Sequence, residues 1–204
     1  ASDVYKRQEK ILVGEYGAAL AKFMSILVKI GDVYGADRLI PVSSVQLAGV
    51  SYLTVGDAIF ALSNLFEKDI PKVKVPTWLN PCGMDIHMWK EMNISEKFAN
   101  KQLKILQFYE KIGVDFTLTC TPYLIGFRPA FGSHLAWSES SAVVMANSFF
   151  GARTNREGAP SALASALIGL TPRYGLHLTP NRRPKVRVDV KTGLEEIEDY
   201  SILG

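Results

Sequence analysis

Apolar residues recur at helical spacing through Ile11, Leu12, Tyr16, Ala19, Leu20, Phe23, Met24, Leu27 and Val28, with Glu15, Lys22 and Lys29 off the stripe. This spacing predicts an amphipathic helix over Glu9 to Val33, stopped by Gly35. Arg38 to Val42 is an apolar run of strand length, Val55 to Phe66 returns to a helical pattern, and Lys72-Val73-Lys74-Val75 alternates as a strand does. Ser95 is placed to cap a helix that runs through Ile112, where Phe98, Leu103, Ile105, Leu106, Tyr109 and Ile112 form the apolar side and Gly113 ends it. Asp115 to Thr119 reads as a strand leading into Cys120, His134 to Phe149 and Ser161 to Ile168 read as helices, and Val186 to Val190 alternates like an edge strand. Helices interleaved with short strands predict an α/β fold: a layered, largely parallel sheet flanked by helices.

Between these elements lie four stretches of Gly, Pro and small polar residues: Ser43 to Tyr52, Thr77 to Asp85, Thr119 to Gly126 and Gly151 to Pro160. Loops of this composition at the carboxyl ends of strands are where α/β proteins place ligands. The 204 residues, 48% hydrophobic and 21% charged, suit one ordinary domain or part of a larger body. With 23 basic and 20 acidic residues the net charge is +3, too small and too scattered for a nucleic-acid footprint. Ala18 to Ile30, the longest apolar stretch, is interrupted by Lys22 and Lys29 and is shorter than the ~20 residues a membrane span needs. Cys82 and Cys120 form no disulfide framework and no CxxC pair, which leaves a reducing cytoplasm as the expected compartment.

Ala1 to Gln8 is polar and resembles the translation of a sequencing adaptor, so residues 1–8 are read as a non-native leader and 9–204 as the natural chain. The sequence stops at Gly204, directly after Tyr200-Ser201-Ile202-Leu203, as a fragment of a larger subunit would.

Candidate chemistry sits in the loops. Cys120, in Thr119-Cys120-Thr121-Pro122-Tyr123, follows a strand and is locked by a proline; it is either a small buried hydrophobe or a thiol presented to a loop-lined space. Gly151 to Gly158 carries Arg153, Asn155 and Arg156, suited to carboxylate or phosphate recognition or to ion pairs within the chain. Glu139, in Trp137-Ser138-Glu139-Ser140-Ser141, is a solvated helix residue or a carboxylate drawn into a pocket. His87, His134 and His177 are isolated in sequence, and Arg182-Arg183-Pro184-Lys185 reads as a solvated turn.

Taken in order, Gly14-Glu15-Tyr16-Gly17, Ser43 to Tyr52, Leu79-Asn80-Pro81, Thr119 to Tyr123, Ala136 to Val144 and Gly151 to Leu163 resemble the aconitase X family. The resemblance runs from about Glu9 to the end, and makes 9–204 the N-terminal half of a catalytic large subunit of aconitase-like fold. It implies an iron–sulfur hydro-lyase with a 4Fe–4S cluster, acting on a small phosphorylated hydroxy acid beside a small swivelling-domain subunit. On this resemblance Cys120 is a cluster ligand, Glu139 and Ser140 are catalytic, and Gly49, Val50, Ser51, Asn80, Pro81, Glu139 and Ser140 contact substrate, with Asn155 and Arg156 as further anion-binding candidates. Cys82 and Leu118 depart from the family pattern, where a small residue and a cysteine are common. Gln46 stands where hydroxyproline-dehydrating relatives usually carry histidine, which favours mevalonate 5-phosphate over cis-3-hydroxyproline as substrate. A binding module that has kept the fold without catalysis is the third reading.

Overall fold

The computed structural model describes residues 2–64, 66 and 71–196; Leu65, inside the helix expected over Val55 to Phe66, and Tyr200 to Leu203 lie outside the described residues. Two helices, rather than one, open the chain: α1 (Ser2–Leu12), which takes in most of the stretch read as a leader, and α2 (Ala18–Val33). Gly14 and Gly17 between them hold φ at 90° and 97°, where most side chains clash with their own backbone, and this breaks the periodic run. Phe23, Met24 and Leu27 of α2 are buried as the spacing predicts, whereas Val13 and Tyr16 at the break are exposed.

There follow β1 (Leu39–Pro41), β2 (Val45–Leu47), α3 (Tyr52–Val55), α4 (Ala58–Asn64), β3 (Thr77–Leu79), α5 (Glu96–Lys111), β4 (Ala136–Trp137), α6 (Ser140–Val144), α7 (Ala159–Ile168) and β5 (Leu170–Pro172). The cap of α5 is the expected one: Ser95 Oγ accepts from Phe98 N, and Gly113 follows with φ of 87°. β1 pairs antiparallel with β5. The parallel sheet has the order β3-β2-β4, with Gln46 opposite Trp78 on one side and Trp137 on the other. Parallel bridges Trp78–Asp115 and Trp137–Arg156 carry it one segment further at each edge. The chain steps outward from β2 to β3 to Asp115, then returns to the opposite side of β2 for β4 and Arg156, so the strand order reverses between β2 and β4.

Both faces of this sheet are covered. Val45, Leu47, Leu79 and Ala136 pack with Leu27 of α2, Ile105 of α5, and Leu163 and Leu167 of α7. On the other face Trp78 and Trp137 meet edge to face, with centroids 5.6 Å apart, in a second core with Leu135, Ala142 and Val143. Helix α7, Ala-rich and buried at seven of its ten residues, lies against both α2 and the sheet. Among the described residues no helix is long and apolar enough to cross a membrane.

Four expected elements differ. Lys72 to Val75 is not a strand: Val73 N and Lys74 N bond to Ile112 O and Ala166 O, tying the segment to two helix ends instead of a ladder. Asp115 to Thr119 contributes one bridge and then turns at Leu118, whose φ is 47°. His134 to Phe149 begins as β4, and only Ser140 onward is helical, widening to a π turn at Met145–Phe149. Val186 to Val190 has the alternation of a strand but no partner strand among the described residues, and Val186 and Val188 are exposed.

Candidate active site

The carboxyl ends of the parallel segments converge. β2 runs into Gly49-Val50-Ser51, β3 into Asn80-Pro81, and β4 into Glu139-Ser140; the Asp115 segment beside β3 leads to Cys120, and Arg156 lies beside β4. The ladder continues past the strands, with Asn80 N bonded to Leu47 O at 2.9 Å and Glu157 N to Trp137 O at 2.9 Å, so these loop bases are as fixed as the sheet. A crevice at such a reversal of strand order is where open α/β sheets bind ligands.

Gln46 organises the centre of this rim. It is fully buried on β2, between the two tryptophans, and both ends of its amide are used: Nε2 donates to Asn80 Oδ1 at 3.0 Å, and Oε1 accepts from Glu139 N at 3.3 Å. Because Asn80 Oδ1 is the acceptor, Asn80 Nδ2 is the atom that faces Glu139, donating to Oε2 at 2.6 Å. Ser140 Oγ donates to Glu139 Oε1 at 3.2 Å. Glu139 is thus not a residue within an apolar helix, as its neighbours suggested, but the half-buried residue that precedes α6, its carboxylate oriented by two donors.

Cys120 joins the same group. Thr117 Oγ1 donates to Leu79 O at 2.8 Å and Thr121 N to Thr119 Oγ1 at 3.1 Å, which tie the cysteine loop to the end of β3. Burial, and then the neighbouring Glu139 carboxylate, push the free Cys120 thiol above its ordinary pKa. Among the described residues no three His, Cys, Asp or Glu side chains come together to hold a metal ion. Cys120 supplies a half-buried thiol at this end, the donor type that iron–sulfur clusters use.

Val50 is buried, Ser51 caps α3 by accepting from Leu53 N at 3.3 Å, and Pro81 and Ser140 are exposed at the rim. Gly49 has a φ of 72°, and a Cβ there would lie 2.5 Å from Ala159 Cβ, so its bare backbone admits the first turn of α7. Asn155 is committed to the turn Tyr174 to Leu176, where Nδ2 donates to Tyr174 O and Oδ1 accepts from Leu176 N. Arg156 is exposed. Arg153 does not pair with an acid among the described residues; it donates to His177 O and Thr179 Oγ1. Arg182 is not a solvated turn residue, since it donates to Asn147 Oδ1 and O and to Leu176 O. The histidines isolated in sequence are not all isolated in space: His134 Nδ1 and His177 Nδ1 are 3.0 Å apart. Of the polar residues at the crevice, sequence reasoning missed the organising part of Gln46 and all of Gln102, an amide on the apolar stripe of α5.

The parallel sheet delivers amides, a hydroxyl, a carboxylate and a thiol to its carboxyl-end rim, the place where α/β folds bind small molecules. The chain belongs to the aconitase X family, since the family model described as aconitase X first domain matches residues 2–180. It is 56% identical over 178 residues to the phosphomevalonate dehydratase large subunit of Methanocaldococcus jannaschii, covering 87% of this chain and 44% of that protein. The cis-3-hydroxy-L-proline dehydratase of Pseudomonas aeruginosa is 30% identical over 198 residues, covering 96% of this chain and 34% of that protein. The crystal structure of Thermococcus kodakaraensis aconitase X in its holo-form superposes with a TM-score of 0.88 at 52% identity, covering 97% of this chain and 49% of that one. The chain spans about half the length of the phosphomevalonate dehydratase large subunits it matches.

Proposed function

We propose that this chain is the N-terminal half of the large subunit of a hydro-lyase that converts (R)-5-phosphomevalonate to trans-anhydromevalonate 5-phosphate, a step toward isoprenoid precursors. In that reaction the C2–H and C3–O bonds break, a C2=C3 double bond forms and one water leaves. The observation that carries the reading is the Gln46–Asn80–Glu139 network beside Cys120 at the strand ends. The choice of substrate is supported by identities of 38–56% to five proteins named phosphomevalonate dehydratase large subunit, four of them above 50%, against 30–32% to two named cis-3-hydroxy-L-proline dehydratase.

Glu139 and Ser140 are assigned to proton movement: the Ser140 hydroxyl is bonded to Glu139 Oε1, so a proton taken at one oxygen can be passed to the other. Asn80 holds Oε2 in place while this happens. Ser51, Asn80, Pro81, the backbone of Gly49 and Val50, and the exposed Arg156 line the path for the substrate's carboxylate and phosphate. Cys120 would be one ligand of an iron–sulfur cluster, read as 4Fe–4S, whose open iron position supplies Lewis-acid activation of the departing hydroxyl. The remaining ligands belong to the rest of the large subunit, and a small swivelling-domain subunit closes the site. The two cysteines are unpaired, in keeping with a cytoplasmic enzyme.

The test is turnover by a full-length large subunit carrying this chain, combined with its small subunit and loaded anaerobically with iron and sulfide. Mevalonate 5-phosphate should be dehydrated, and Cys120→Ser should remove most of the visible absorbance. Turnover of cis-3-hydroxyproline without any of mevalonate 5-phosphate would reassign the substrate, and a normal cluster in Cys120→Ser would return the thiol to the core.

A further inference from the structure

Gln102 is fully buried on the stripe of α5 that also carries Ala99, Ile105, Leu106 and Tyr109. An amide in that position costs free energy unless both its ends are bonded. Both are: Nε2 donates to Val50 O at 2.8 Å, and Oε1 accepts from Tyr52 N at 2.9 Å. These are the carbonyl before Ser51 and the N–H after it, so one side chain does for this loop what a neighbouring strand would do. Lys101, the preceding residue, holds the far end of Tyr52: its ammonium donates to Tyr52 Oη and, at 2.9 Å, to Asp57 Oδ1, and sits 4.4 Å from the tyrosine ring centroid.

Gly83 closes the other side. A Cβ there would lie 2.2 Å from Ser51 Oγ and 3.5 Å from Gln102 Oε1, so the hydroxyl rests directly on the glycine backbone. Ser51 Oγ already accepts from Leu53 N, which leaves its hydrogen as the group to offer a ligand. We infer that Gln102 is a positioning residue that, with Gly83, fixes Ser51 so that its hydroxyl donates to an anionic oxygen of the substrate. The inference rests on the reading of Ser51 as a substrate contact. Binding of substrate depends on it more than proton movement does, because Glu139 is held separately through Gln46.

The experiment uses the loaded full-length assembly with mevalonate 5-phosphate. Gln102→Met keeps the length of the side chain and removes both bonds; KM should rise about 10-fold while kcat changes less than about 2-fold. Ser51→Ala should raise KM similarly, and the double variant should be no worse than either alone. Gln102→Glu supplies a second readout within one folded protein. Its protonated carboxyl can accept from Tyr52 N and donate to Val50 O, whereas the ionised form sets an oxygen against Val50 O. KM of Gln102→Glu should therefore be near wild type at low pH and climb as pH rises through the pKa of the new carboxyl, with no such climb in wild type. Additive KM effects, or a Gln102→Glu KM that stays at the wild-type value after the new carboxyl has been shown to ionise, would overturn the inference while leaving the proposed reaction standing. A wild-type assembly that turns over neither mevalonate 5-phosphate nor cis-3-hydroxyproline overturns the functional reading and this inference with it.

Discussion

The two ends of the parallel sheet carry polar clusters of opposite character. At the amino end His134 precedes β4 and faces His177, while Arg153 and Arg182 end on carbonyls and on Thr179 and Asn147. His134, next to Arg153 through a backbone bridge, and buried His177 share one hydrogen bond. Burial and the nearby His134, Arg153 and Arg182 hold His177 neutral, its pKa pushed down to about 3. The carboxyl end carries one thiol, one carboxylate and the Arg156 guanidinium among amides and hydroxyls; Glu139 and Cys120 are half-buried and Ser140, Pro81 and Arg156 are exposed. Two histidines between two arginines look more like chemistry on paper than Gln, Asn, Glu and Cys do. What separates the ends is access: the arginines and histidines hold two segments together and His177 Nε2 is left buried without a partner, whereas Ser51, Glu139 and Cys120 stand half-buried at the rim.

The largest expected difference between the ends is in turnover. Glu139→Gln in the loaded full-length assembly should keep fold and cluster absorbance but lose at least ~100-fold in kcat, the lower range for acid–base groups. An equally active variant would remove the contrast. Asn80→Ala, which leaves Glu139 Oε2 without its amide donor, should lower kcat/KM by roughly 5- to 150-fold, corresponding to about 1–3 kcal/mol. At the amino end, His177→Phe should leave kcat within about 2-fold and alter only acid stability. With a folded pKa of about 3 against an ordinary 6.5, the unfolded chain binds the proton more readily between those values. Stability is therefore intact above pH 6.5 and falls as pH drops toward 3. Thermal midpoints across that range should fall less steeply in His177→Phe, and loss of turnover at neutral pH in this variant would make the amino end functional.

The helices were legible because α2, α5 and α7 are long enough to show a period, and α5 also has its serine cap. β2, β3 and β4 were not. They are two or three residues long and buried on both faces, so Val45-Gln46-Leu47, Thr77-Trp78-Leu79 and Ala136-Trp137 carry no alternation to read. Lys72 to Val75 alternates without entering a ladder, since alternation there records that Val73 and Val75 turn inward and not which backbone groups find a partner strand; Val186 to Val190 alternates in sequence alone, with its valines exposed. The site loops were found by composition, and the family resemblance picked out Asn80, Glu139 and Cys120. Gln102 could have been found as the one amide at helical spacing with Ala99, Ile105, Leu106 and Tyr109. The His134–His177 pair, 43 residues apart in sequence, leaves no local trace.

The reversal of strand order around β2 has a bearing on how the protein is made. Gln46 waits 34 residues for Asn80 and 93 for Glu139, and neither bond closes until the intervening chain has been looped back. Each closure carries an entropic cost before its contacts offset it. On a ribosome, β2 would leave the tunnel with both edges unpaired; β3 follows first and can cover one edge, while the other stays open until β4 emerges. The carboxyl-end rim is then among the last features of this region to form, and a synonymous or temperature-dependent slowing of translation between β3 and β4 would lengthen the interval in which a buried glutamine and its valine and leucine neighbours stand open to the wrong partner.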